Sequence, residues 1–293
     1  MTTRNWSFLA ILSILWGGSF FFVELALRGL PVLTIVWARV AGAALLLGLW
    51  IWARGLGFPR GPGHWRALMV QGFLNNVVPF TLFVLAQDQI EGALAAIVNA
   101  TTPLWTVLVA HFATSDERLT PAKILALALG FGGVLVMTGG EAGGTAWAIL
   151  ACLAAALSYG FAGVWGRRFK PMGLSPEQVA FGQVSCATLI LLPIWLVLDQ
   201  PWQLAAPPMI SLAAMVGLIS LSTALAYLIF FRILASAGAT MLSLVTFLIP
   251  VSAIALGIGF LGEHLLPRHM IGFGLIVIGL LAIDGRLWKW AKS

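Results

Sequence analysis

The 293 residues are 60% apolar and 9% charged, with a mean hydropathy of +1.00, which excludes a soluble globular chain and points to a lipid bilayer as the principal partner. The formal charge of +6 does not indicate nucleic acid, because the sixteen Lys and Arg residues are scattered between apolar stretches. Cys152 and Cys186 lie inside apolar runs and read as small hydrophobes, with no disulfide or metal site expected.

A bilayer core takes about 20 apolar residues per helix. Cutting the chain at its charged, Gly and Pro breaks predicts an all-α integral membrane protein of ten spans, at roughly 6–27, 32–53, 65–86, 92–113, 121–139, 145–166, 177–198, 208–231, 238–262 and 268–288. In the first span, which is expected to be retained rather than cleaved as a signal peptide, Trp16 precedes Gly17; a ring beside a glycine gap either packs or lines a cavity for an apolar solute. Glu24 lies about a turn below the end of that span, and Arg39 about two turns below the same face in the second, roughly 10 Å deep at 1.5 Å per residue. The two read as a structural ion pair, or as an electrostatic attractor for a substrate's carboxylate or amine.

Proline inside a helix removes the hydrogen bond to the carbonyl four residues back. Pro79 in the third span frees the carbonyl of Asn75, and Pro103 in the fourth frees that of Asn99. Thr120 before Pro121 is N-cap chemistry opening the fifth span. Tyr159 before Gly160 repeats the Trp16–Gly17 device in the sixth. The eighth carries Ser220, Ser222, Thr223 and Tyr227, and in the ninth Pro250 frees the carbonyl of Thr246. Such polar groups must face protein or a wet cavity; they either repair kinks and tie helices together or meet a substrate. Gly130, Gly133, Gly272, Gly274 and Gly279 read as close-packing positions. His264 and His269, flanking Pro267, read as a solvated loop.

Ten spans place both termini on one face, and that face collects thirteen Lys and Arg against two, Arg28 and Arg268, on the other, with Arg39 left inside a span. Positive residues stay inside, so both termini are expected in the cytoplasm. Trp6, Trp50, Trp52, Trp65, Trp147, Trp202, Trp288 and Trp290 fall near span ends, where an indole anchors at the headgroups.

The loops "SDERLTP" and "LGEHLLP" recur 146 residues apart, pairing Glu117 with Glu263 and Pro121 with Pro267. The same shift pairs Gly92 with Gly238, Ala93 with Ala239, Leu119 with Leu265, Gly133 with Gly279 and Gly139 with Gly285, and Pro103 meets Pro250 after a one-residue gap. The chain therefore reads as two five-helix halves, 1–142 and 143–293. Five is odd, so the second half is inverted in the membrane, an arrangement recurrent in secondary transporters.

The stretch "GALAAIVNATTPLWTVLVAHFATSDERLTPAKILALALGFGGVLVMTG" and its echo "GATMLSLVTFLIPVSAIALGIGFLGEHLLPRHMIGFGLIVIGLLAIDG" resemble the duplicated EamA domain of the drug/metabolite transporter superfamily. The resemblance spans essentially the whole chain and is strongest in the last two helices of each half. It implies a ten-helix carrier with a central cavity, exporting amino acids or other small metabolites across a bacterial inner membrane. Within that family the chain looks most like the YddG-type exporters of aromatic amino acids, a likeness carried by no single motif. No carboxylate lies mid-span, unlike the first helix of the small multidrug members.

The expected substrate-binding residues are Trp16, Asn75, Asn99, Tyr159, Tyr227 and Thr246, with Glu24 and Arg39 as a charge pair or steering groups. No cofactor is expected: there is no GxxxxGK[ST] loop and no nucleophile–base cluster of the kind an intramembrane enzyme needs. A multidrug carrier, a channel and a lipid flippase share the inverted architecture and stay open as alternatives. The internal repeat supplies both halves, so the working unit is expected to be a monomer.

Overall fold

The computed structural model describes residues 3–115, 117–139, 143–242 and 244–283, with the backbone alone at 235 and 237–241. Gly285, Arg286, Trp288, Lys289, Trp290 and Lys292, assigned roles above, lie outside the described residues. The chain forms α1 (Thr3–Leu27), α2 (Val32–Ala53), α3 (Pro62–Gln87), α4 (Gly92–Ala113), α5 (Pro121–Thr138), α6 (Gly144–Gly166), α7 (Pro176–Leu198), α8 (209–242), α9 (Val245–Leu261) and α10 (Pro267–Ile283). Eight of these are long and apolar enough to cross a membrane, and α9 and α10 are shorter apolar helices.

Helix starts follow local chemistry. Ser175 accepts from the Gln178 amide at 3.2 Å while the Gln178 side chain accepts from the Ser175 amide at 2.9 Å, a capping box that starts α7 ahead of Pro176. Thr120 accepts from the Lys123 amide at 3.3 Å and starts α5. The outward faces are apolar, with Leu45, Phe112, Leu135 and Phe260 exposed, whereas Asn76, Gln183 and Thr223 are buried. That distribution is the reverse of a soluble protein's and suits a lipid surround.

The main helix contacts join one half to the other, and they come in repeat-related pairs. A Cβ at Gly17 of α1 would lie 2.8 Å from the Ala253 amide nitrogen of α9, and one at Gly160 of α6 would lie 3.0 Å from the Trp105 carbonyl carbon of α4. The two glycines therefore set equivalent crossings. α5 and α10 meet through Gly133 against the Gly272 backbone and through Gly279, whose Cβ would stand 2.7 Å from the Ala126 carbonyl oxygen. Gly130 leaves room for Leu104, but Gly274 faces open space, so it is not the packing position its sequence context suggests. α2 and α7 pair through Trp37 stacked on Trp195 at 3.8 Å, and Asp199 at the end of α7 accepts from the Thr34 amide of α2 at 2.6 Å.

Three helices carry a π-helical turn: Phe73–Val77 in α3, Ser220–Leu225 in α8 and Gly257–Leu261 in α9. The first two occupy equivalent places in the two halves, and such turns are frequent at functional sites. Pro79 follows the first of them, so α3 absorbs its missing amide by widening one turn.

One span boundary differs from the sequence-based expectation. A break was expected between 231 and 238, yet α8 continues without interruption to Leu242, and α9 begins only at Val245. The equivalent stretch of the first half does break: α3 ends at Gln87 and α4 starts at Gly92.

His269 is buried, contrary to the solvated loop expected for it, and its Nδ1 accepts from the Leu266 amide at 3.3 Å.

Candidate functional site

A cavity of about 1000 Å³ lies between the halves, within the range of small-molecule sites. Trp16, Asn75, Asn99, Tyr159, Tyr227 and Thr246 all line it, as does Arg39. The π turns explain why α3 and α8 present polar groups there, since each extra residue rotates the following side chains around the helix. Asn75 donates to Gln183 Oε1 at 3.1 Å and to the Tyr227 hydroxyl at 3.2 Å, and Asn76 donates to the same hydroxyl at 3.1 Å. Half of this amide network comes from α3 and half from α7 and α8.

Arg39 stands alone in charge within the cavity's depth. Its Nε donates to Thr223 Oγ1 at 2.9 Å, and its guanidinium carbon lies 3.7 Å over the Phe80 ring. Thr223 Oγ1 in turn donates to the Leu218 carbonyl at 2.7 Å, a bond the π turn of α8 makes available. The expected ion pair with Glu24 is absent among the described residues: Glu24 does not line the cavity, and its Oε2 is buried without a partner. Arg39 is turned inward to Thr223 of α8 instead.

Asn99 is only partly free. The Thr102 hydroxyl donates to its backbone carbonyl at 2.8 Å and to Oδ1 at 3.2 Å, repairing the gap left by Pro103. α4 accordingly breaks at Ala100 and Thr101. Of the serine and threonine cluster in α8, Ser222 and Thr223 face the cavity, whereas Ser220 is turned away and bonds back to the Val216 carbonyl.

Much of the remaining wall is aromatic, interspersed with aliphatic side chains such as Val84, Leu234 and Ile249. Phe83 stacks on Tyr159 with centroids 6.2 Å apart, Phe231 on Tyr227 at 6.2 Å, and Phe230 leans on Trp16 at 5.5 Å. Sequence reasoning missed Gln71 and Gln183, both buried cavity-lining amides. The available signal was their rarity: an uncharged amide in an otherwise apolar span is costly to face toward lipid.

The cavity is open at one end and closed at the other. Its lining runs out through Gly166, Phe169, Lys170, Gly173 and Pro176, the connection between α6 and α7. At the opposite end the lining stops at Gln87. Beyond it Glu263, in the α9–α10 connection, accepts from the Gly92 amide at 3.2 Å and the Ala93 amide at 2.9 Å. The His264 amide donates to Glu91 Oε1 at 3.0 Å. This is an N-cap of α4 supplied by the other half of the protein. Burial holds the Glu263 pKa above the ordinary carboxylate range, and the two amides pull it partly back. Gly257 makes the seat possible, because a Cβ there would collide with the carboxylate.

Sequence comparison matches the EamA-like transporter family over residues 4–139 and again over 146–283. The uncharacterized inner membrane transporter YedA of Escherichia coli is 26% identical over 283 residues, covering 94% of this chain and 89% of YedA. Protein PecM of Dickeya dadantii is 27% identical over 291 residues, covering 97% and 93% of the two chains. A solved crystal structure that is 19% identical superposes over 100% of both chains with a TM-score of 0.71, which supports the fold alone. With a central cavity lined by eight of the described apolar helices and a family match in each half, this chain belongs to the EamA-like transporter family.

Proposed function

We propose that this transporter exports small carboxylate-bearing metabolites, amino acids with aromatic or other apolar side chains above all, by alternating access around the central cavity. The observation that carries the reading is Arg39: buried, without an acidic partner among the described residues, and facing a cavity that among those residues has one other charged lining residue, Lys170 near the open end. A guanidinium with free N–H groups in a low-dielectric site suits a carboxylate, and among the described residues no carboxylate lines the cavity to favour a cationic drug. The aromatic walls suit an apolar side chain. An α-ammonium group meets the amide oxygens of Asn75 and Asn99 and the ring faces of Tyr159 and Tyr227.

Thirteen basic residues against two orient both termini to the cytoplasm of a bacterial inner membrane. In that orientation the open α6–α7 end faces the cytoplasm, the loading side for an exporter. Two halves in one chain make the monomer the working unit, and the solute's own gradient suffices as driving force.

The test is counterflow into liposomes containing only this protein, with labelled tryptophan, phenylalanine and leucine in parallel with ethidium and an acyl-labelled phospholipid. Saturable uptake of the amino acids, reduced at least tenfold by Arg39→Gln, is the expected result. Ethidium flux without amino acid flux makes the protein a multidrug carrier instead, lipid movement alone makes it a flippase, and a non-saturating current makes it a channel.

A further inference from the structure

The two repeat-related glutamates occupy different situations. Glu263 is buried and caps the start of α4 through the Gly92 and Ala93 amides. Glu117, its partner under the 146-residue shift, sits on the opposite rim and pairs with Arg167 at the open end of the cavity. The same shift turns Gly92 and Ala93 into Gly238 and Ala239. Those two residues now lie inside the continuous α8, so their amides are held within the helix.

An inverted repeat whose halves adopt different conformations can exchange them, which produces the mirror state with the other face closed. In that exchange each half acquires the contacts its counterpart has now. The contact closing the present sealed face is a carboxylate from one half on the first two amides of the fourth helix of the other. Its counterpart is Glu117 on the amides of Gly238 and Ala239.

We propose that Glu117 and Glu263 are alternating latches. Glu263 on Gly92 and Ala93 seals the face opposite the α6–α7 connection, and Glu117 on Gly238 and Ala239 seals the α6–α7 side in the opposite state. The switch requires α8 to break near Ser236, so that a new helix starts at Gly238 as α4 starts at Gly92. In the present state Arg167 holds Glu117 aside on the open rim. The latch is charge-assisted hydrogen bonding to a helix N-terminus, and it forms only when the chain breaks to free those amides.

The inference rests on the alternating-access reading but not on the identity of the solute, and its test uses no solute. Spin labels at Gln89→Cys and His264→Cys, both exposed on the sealed rim, are placed in a Cys152→Ala, Cys186→Ala background and reconstituted into liposomes. Their separation reports whether that face is shut. Ala237→Pro breaks α8 just ahead of 238, where the equivalent Glu91 has φ −59° and ψ 143°, a conformation proline adopts, and it keeps both the Gly238 and Ala239 amides; it is expected to shift the population to longer separations. Adding Glu117→Ala to Ala237→Pro is expected to bring the short separation back, because the alternate latch has lost its carboxylate. Adding Arg167→Ala instead leaves the long separation in place. Glu263→Ala alone gives a second reading, a longer separation that Glu117→Ala again reduces, should Ala237→Pro fail to fold. The proposal is overturned if Glu117→Ala shortens neither background, or if Arg167→Ala acts as Glu117→Ala does, the result for a surface ion pair with no latch role.

Discussion

The α3–α4 hairpin and the α8–α9 hairpin descend from one repeated unit, yet the first is broken and capped while the second is continuous through the equivalent position. α3 ends at Gln87 and α4 begins at Gly92 under the carboxylate of Glu263. α8 runs on to Leu242, and its Gly238 and Ala239 have no such partner among the described residues. A helix start exposes amides that need acceptors, so whether a break forms depends on whether an acceptor arrives. Where the other half of the molecule delivers a glutamate, the chain breaks and that face is shut. Where it does not, the amides stay in the helix and the face is open.

That contrast can be attacked from either hairpin. Gly257→Ala places a methyl group where the Glu263 carboxylate sits and removes two charge-assisted bonds, each worth about 1.5–3 kcal/mol. It is expected to open the sealed face, read as a longer Gln89–His264 separation, and to cut transport at least tenfold. Ala237→Pro penalises the continuous α8 by about 3 kcal/mol, since an interior proline loses a backbone bond and clashes with the preceding turn. The same proline fits the N-cap of a helix starting at 238, as Pro31 and Pro208 do ahead of α2 and α8, so the balance between the two faces is expected to move by about a hundredfold.

The two π turns allow a finer comparison. Thr223→Val strips Arg39 of its hydrogen-bond partner on α8, and losing a bond to a buried charge costs about 1.5–3 kcal/mol. Thermal stability in detergent should fall, while added amino acid restores part of it by occupying the guanidinium. Tyr227→Phe removes the hydroxyl that accepts from Asn75 and Asn76, leaving α3's π turn less tied to α8. The expected loss is the smallest of the four, about 1 kcal/mol, read as a weaker apparent affinity in counterflow with the maximal rate preserved.

Much of the architecture was legible beforehand because a bilayer reduces the problem to run length and charge placement. Eight of the nine junctions between spans follow the apolar runs closely; the exception lies between 231 and 245, where the sequence resembles a broken hairpin and the chain is wound through it. The prolines and polar residues marked the cavity in advance, and Trp16, Asn75, Asn99, Tyr159, Tyr227 and Thr246 meet there. The expected Glu24–Arg39 pair did not form, because depth along a helix was readable and rotation about it was not. Arg39 turns toward α8, where the π turn presents Thr223 to it.

The sequence by itself determined the spans, the inverted duplication and the family, because hydropathy, positive charge and a 146-residue repeat are properties of the chain read in one dimension. Only the tertiary structure decided which side is shut, which of two equivalent glutamates is seated and what faces Arg39. Two related halves permit two arrangements of the same contacts, and the choice between them is made by interfaces between residues about 170 positions apart, such as Glu263 with Gly92.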